Sequence, residues 1–124
     1  MGTPKNVPTG LVIWVCEGTK RNHRQVEMVN DNELLVKVFI EYLRSFAIDE
    51  RRLRARVQCS AEDVIAEQIR WSKITGIPVT QFTKPIVKAH KTIVRKSKSV
   101  IVRYSSESLK QQLISEGKRF GLLQ

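Results

Sequence analysis

The chain has 124 residues, a formal net charge of +10, 41% hydrophobic residues and 27% charged ones. This predicts one globular domain over residues 1–124 with a core of its own. No membrane span and no secretory leader are expected, because the apolar stretch near the start is short and lacks a basic flank and a small-residue cleavage site.

Residues Gly10 to Gly18, GLVIWVCEG, carry no charge until Glu17, which predicts a helix buried on every side. Asn6 or Thr9 suits its start, Pro8 its first turn, and Gly18 the position just past its end. Glu17 then falls at the helix C-terminus, where unpaired carbonyls already make the site electronegative, so a carboxylate there needs a cation nearby. Gln25 to Val29 predicts a short strand, and Asn30 with Glu33 a capped helix start. Leu34, Leu35, Val38, Phe39, Tyr42, Leu43 and Phe46 recur at helical spacing and predict that helix's buried face.

Arg52 to Cys59 alternates with period two: Leu53, Ala55, Val57 and Cys59 point one way, and Arg52, Arg54, Arg56 and Gln58 the other. Ser60 with Asp63 predicts the cap of a third helix, carrying Val64, Ile65, Ile69 and Trp71 to a stop at Gly76-Ile77-Pro78. Phe82 to Lys88 predicts a strand that Pro85 confines to an edge or makes irregular, and Ala89 to Ser97 a basic turn or loop. In Ser97 to Tyr104, Val100, Val102 and Tyr104 alternate with Ser99, Ile101 and Arg103. Ser105 or Ser106 caps a last helix with Leu109, Leu113 and Ile114, which frays near Gly117 to Gly121 into an apolar tail. The order predicts an α+β domain: helices on one face of a small, mostly antiparallel sheet, and an open basic face opposite.

From Gln68 to Ser106 there is no Asp or Glu, while Arg70, Lys73, Lys84, Lys88, Lys91, Arg95, Lys96, Lys98 and Arg103 all lie there. A cationic face concentrated in this way points to a polyanion. Without a basic amphipathic helix and aromatic anchors, nucleic acid is favoured over a membrane surface. Double-stranded DNA is the expected partner, contacted by Lys20, Arg21, Arg24, Arg52, Arg54, Arg56, Gln58, Lys84, Lys88, Lys91, Arg95, Lys96, Lys98 and Arg103. A two-stranded ribbon fits the major groove, where Arg reads guanine and Gln58 could read adenine. His23 and His90 fall in polar loops where they could touch phosphates, and neither is assigned a catalytic role. Cys16 and Cys59 read as reduced core thiols of a cytoplasmic protein, and no CxxC or His/Cys cluster points to zinc.

GLVIWVCEG, the following VNDNELLVKVFIEYL and the later WSKITGIPVTQFTK together resemble the LAGLIDADG homing-endonuclease family, in its small single-motif prokaryotic type. The resemblance covers roughly Gly10 to Leu113 and implies that family's domain. It places Glu17 at the acidic residue that ends the motif and Gly18 at the glycine after it. It implies a divalent metal, magnesium or manganese, at Glu17 and Gly18, with Glu17 catalytic. It also implies a homodimer whose motif helices pair through Leu11, Val12, Trp14, Val15 and Cys16, so that a carboxylate from each chain meets at a two-fold axis. Val12 stands where the motif usually has glycine, and only 12 residues separate Gly18 from Asp31, which leaves room for a miniature hairpin at most.

The function expected is therefore metal-dependent, site-specific cleavage of double-stranded DNA at a pseudo-palindromic site, with no organic cofactor. The alternatives are a non-cleaving DNA-binding regulator on the same scaffold, or an RNA-binding splicing helper.

Overall fold

Helix α1 (Thr9–Glu17) runs directly into β1 (Gly18–Thr19), followed by β2 (Gln25–Asn30), α2 (Glu33–Arg44), β3 (Leu53–Cys59), α3 (Val64–Thr75), β4 (Ile86–Val87), β5 (Ser99–Ser105) and α4 (Glu107–Arg119). This computed structural model describes residues 7–19, 24–87 and 98–123, apart from the side chains of residues 17–19. The strands form one sheet in the order β1-β2-β5-β3-β4. Every pairing is antiparallel except β3 with β4, which is parallel. The architecture is α+β, and no helix among the described residues is long and apolar enough to cross a membrane.

Alternation builds the sheet. Val26 and Met28 of β2, Val100, Val102 and Tyr104 of β5, and Leu53, Ala55, Val57 and Cys59 of β3 are buried. They form one core cluster with Leu11, Ile13 and Trp14 of α1, Val36, Phe39, Ile40 and Leu43 of α2, Trp71 of α3, and Leu109 and Leu113 of α4. All four helices therefore pack on one face of the sheet.

Local chemistry fixes the element ends. Gly76 stops α3 in the left-handed region at φ 76°, where a side chain is disfavoured. Ser106 Oγ accepts from Leu109 N at 3.1 Å and caps α4. On α2 the cap differs from expectation: Asn32 Oδ1 accepts from Leu35 N at 3.1 Å, while Asn30 Oδ1 accepts from Asn32 N at 2.8 Å and shapes the turn before it. Ser60 and Asp63 bond each other across a 3₁₀ turn, Ala61–Asp63, that precedes α3.

Four expectations about packing are corrected. Helix α1 is not buried all round, since Thr9 and Cys16 are exposed and Val12 is half-buried. On α2 most of the expected face holds, with Phe39 and Leu43 buried and Leu35, Val38, Tyr42 and Phe46 packed against the core, but Val36 and Ile40 are buried as well and Leu34 is 66% exposed. On α3 the buried face is Glu67, Trp71 and Thr75, leaving Ile65 73% and Ile69 47% exposed. Helix α4 does not fray at Gly117, which is buried. The amides of Leu122 and Leu123 return to Gly117 O at 2.7 and 3.0 Å, with Gly121 in the left-handed region, so the apolar tail closes the helix end.

Glu67 is buried because Arg70 receives it. The guanidinium donates to both Glu67 carboxylate oxygens at 3.1 and 2.8 Å, to Glu33 of α2 at 2.6 Å, and stacks over Trp71 with its carbon 4.6 Å from the ring centroid. One arginine thus ties α2 to α3.

Helices α1 and α2 meet more closely than any side chain would allow. A Cβ at Gly10 would stand 2.1 Å from Tyr42 Cβ. The Tyr42 hydroxyl is buried beside this crossing with no hydrogen-bond partner among the described residues. Burial, with Glu116 nearby as the lesser cause, pushes its pKa up to about 12.

Two outcomes follow. Gly10→Ala should destabilise the protein by about 1–3 kcal/mol in urea denaturation, the usual cost of overpacking. The Tyr42 hydroxyl ionises near pH 10 in the unfolded chain but only near 12 in the folded one. Its stabilisation is therefore complete below about pH 10 and lost as pH rises through 12. Tyr42→Phe should be at least as stable at neutral pH, and its stability should fall less between pH 10 and 12.

Candidate nucleic-acid interface

The sheet face turned away from the helices carries the outward half of each alternation. Register sets its rows. One row runs Thr19, Glu27, Arg103, Arg54 across β1, β2, β5 and β3. The next runs Val29, Ile101, Arg56, and a third pairs Ser99 with Gln58. The face is thus mixed rather than uniformly basic, since Glu27, Val29 and Ile101 stand among the arginines.

Of the arginines predicted from the period of β3, Arg54 and Arg56 take outward positions while Arg52 does not join them, and backbone carbonyls already engage all three. Arg54 donates to Arg51 O at 2.6 Å and Leu53 O at 2.8 Å. Arg56 donates to Lys84 O at 2.6 Å and so fastens the segment leading into β4 to the sheet. Arg52 lies in the 3₁₀ turn before β3, donates to Ser105 O, and stacks over the Tyr104 ring with its carbon 5.1 Å from the centroid. A guanidinium has five N–H donors, so each keeps some for a ligand. Arg103 is different: it forms no hydrogen bond or ion pair among the described residues, although Glu27 and Arg54 are its register partners. Gln58 Oε1 accepts from Ser99 Oγ at 2.9 Å, which leaves its amide N–H groups for other contacts.

The other expected contacts divide. Arg24 is exposed in the turn before β2, and Lys84 is exposed before β4. Lys98 does not join the basic face. Its Nζ lies 3.7 Å from Asp63 Oδ2, at the start of α3. Lys20, Arg21, His23, Lys88, His90, Lys91, Arg95 and Lys96 lie outside the described residues.

Helix α1 ends at Glu17, and its chain enters the sheet at once: Gly18 pairs with Met28 and Thr19 with Glu27. The backbone of Glu17 is therefore two residues from the row that holds Arg103 and Arg54. The Glu17 side chain is outside the described residues, and among those described no group of three His, Cys, Asp or Glu is gathered as for a metal. Of the residues expected in a helix seam, Leu11 and Trp14 are spent in the chain's own core and Val15 packs against it. Val12 and Cys16 share the outer side with Thr9.

One residue near this helix end escaped the sequence reading. Lys110 of α4 is 1% exposed. Its Nζ donates to Gln25 O at 3.1 Å and lies 5.8 Å from the Trp14 ring centroid. Trp14 opens the last turn of α1, so Lys110 brings a buried positive charge beside a side chain of that turn. Lys110 shares the buried stripe of α4 with Leu113 and Gly117.

The two thiols also separate. Cys16 is exposed and Cys59 buried, and burial, then Glu67 and Asp63, pushes the Cys59 thiol above its ordinary pKa. Compared with family models, curated proteins and solved structures, the chain matches none of them.

The hydrogen bonding makes the arginines of this face separable by stability. Arg56→Gln should cost about 1 kcal/mol, the net worth of a typical hydrogen bond. Arg103→Gln should stay within about 0.5 kcal/mol of the parent, as expected for a surface side chain without partners. Equal losses for the two in urea denaturation would show that Arg103 is tied down after all.

Proposed function

We propose that this protein is a homodimeric endonuclease of the LAGLIDADG type that cuts double-stranded DNA with a divalent cation held at Glu17. The observation that carries the reading is the short connection from the end of α1 into the sheet. It delivers Glu17 to within two residues of the register row bearing Arg103 and Arg54. A duplex lying on that face brings its phosphates toward the α1 terminus while the arginines meet base edges or backbone.

One acidic side chain per motif is a sparse donor set. A second copy, packed through Val12 and Cys16 on the outer side of α1, supplies the second carboxylate. Hard divalent cations take oxygen ligands, here the Glu17 carboxylates and the adjoining Gly18 carbonyl. A divalent cation held there would supply activation of water and neutralisation of charge on the phosphate. The chain's own part is to hold the duplex on the sheet, fix the acid at its edge, and place Lys110 beside the last turn of α1.

That same lysine favours a second reading, a DNA-binding protein that does not cut. Positive charge from Lys110 beside that turn favours a carboxylate there without any metal.

Incubating duplex selected by the protein with Mg²⁺ or Mn²⁺ tests the choice. Double-strand cleavage abolished by Glu17→Gln, with binding retained, is the expected result. Tight binding with intact strands in both metals supports the non-cleaving reading, and cleavage by Glu17→Gln at the parent rate removes Glu17 from the chemistry.

A further inference from the structure

Within this DNA-binding reading, we infer that the Val29–Ile101 pair is a thymine-reading contact on the open sheet face. Val29 and Ile101 are direct cross-strand partners in β2 and β5, and Ile101 is in turn opposite Arg56. Both point away from the helices, both are half-buried, and neither belongs to the core cluster or to the hydrophobic residues packed on it. The core therefore gives no reason for two apolar side chains at the middle of a polar face.

The flanking rows say what covers them. Arg54 and Arg103 stand on one side and Arg56 shares the row itself, so the occupant is anionic overall yet apolar at one point. Duplex DNA has this combination in its major groove, where the thymine C5-methyl is the one apolar group presented by any base edge. A pair of strands fits that groove.

Glu27 supports base edges over phosphates at this place. It is the register partner of Arg103 and forms no ion pair with it among the described residues. A carboxylate repels a phosphate but accepts from the cytosine N4 amino group. The face thus holds an apolar pair, an acid and arginines at neighbouring positions, a pattern suited to telling base pairs apart.

The test uses the full-length chain and a duplex enriched by it from a randomised library. Each thymine of the enriched site is replaced in turn by deoxyuridine, which pairs identically but lacks the methyl group. At one thymine in each half-site, loss of the methyl should weaken wild-type binding about fourfold, the worth of one buried methyl-sized group. Ile101→Ser, which leaves no methyl group at that position, should lose most of the difference between the thymine and deoxyuridine forms there. Wild-type binding indifferent to every methyl overturns the inference by itself, whether or not the variant folds. So does an Ile101→Ser protein that keeps the full methyl dependence. A wild-type chain that enriches no duplex overturns this inference together with the DNA-binding reading beneath it.

Discussion

The contact between Gly10 and Tyr42 sets the position of everything that follows from α1. With no side chain at residue 10, the helix lies against α2 at a separation that even a methyl group would forbid. That depth seats Leu11 and Trp14 in the core, and it fixes the level at which the helix ends and hands its chain to β1. Because Gly18 and Thr19 pair with β2 immediately, the helix has no slack at its far end. The helix is thus held closely at its start and tied into the sheet at its finish. A glycine near the N-terminus thus governs where an acidic residue one helix-length away is presented.

Features decided by neighbouring residues were legible in the sequence. The alternation of Leu53, Ala55, Val57 and Cys59 reproduced the buried half of β3, and Val100, Val102 and Tyr104 did so for β5. Gly76 and Ser106 marked helix ends because each acts on backbone groups within a few residues. The edge role given by Pro85 also held, with β4 at the margin of the sheet, although its parallel pairing to β3 was not anticipated.

What escaped was the choice between helix faces. Helix α2 carries apolar residues on more than one side, so period alone did not separate Val36 and Ile40 from Leu34. On α3, hydrophobicity pointed to Ile65 and Ile69, whereas the core accepted Glu67 because Arg70 could neutralise it and Trp71 could cover the pair. Lys110 was missed for the same reason. A charged residue is tolerated inside when a partner from a distant segment meets it, here Gln25 O some 85 residues earlier in the chain. Such pairings are invisible until the fold brings them together. The candidate site shares this mixture: strand period exposed its arginines, but their uneven engagement by carbonyls depended on the 3₁₀ turn at 50–52, the start of β3 and the segment at 83–85.

Those carbonyls bear on recognition in a further way. Immobilising a long, rotamer-rich side chain at an interface costs about 0.5–1.5 kcal/mol. Arg54 and Arg56 are already held in place by Arg51 O, Leu53 O and Lys84 O, so folding has absorbed most of that entropy before a ligand arrives. Arg103 retains its freedom. The face therefore combines pre-organised cations with one adaptable cation between them and Glu27; under the proposed DNA-binding reading, the first would favour a fixed docking register and the second would adjust to the base edge that register brings.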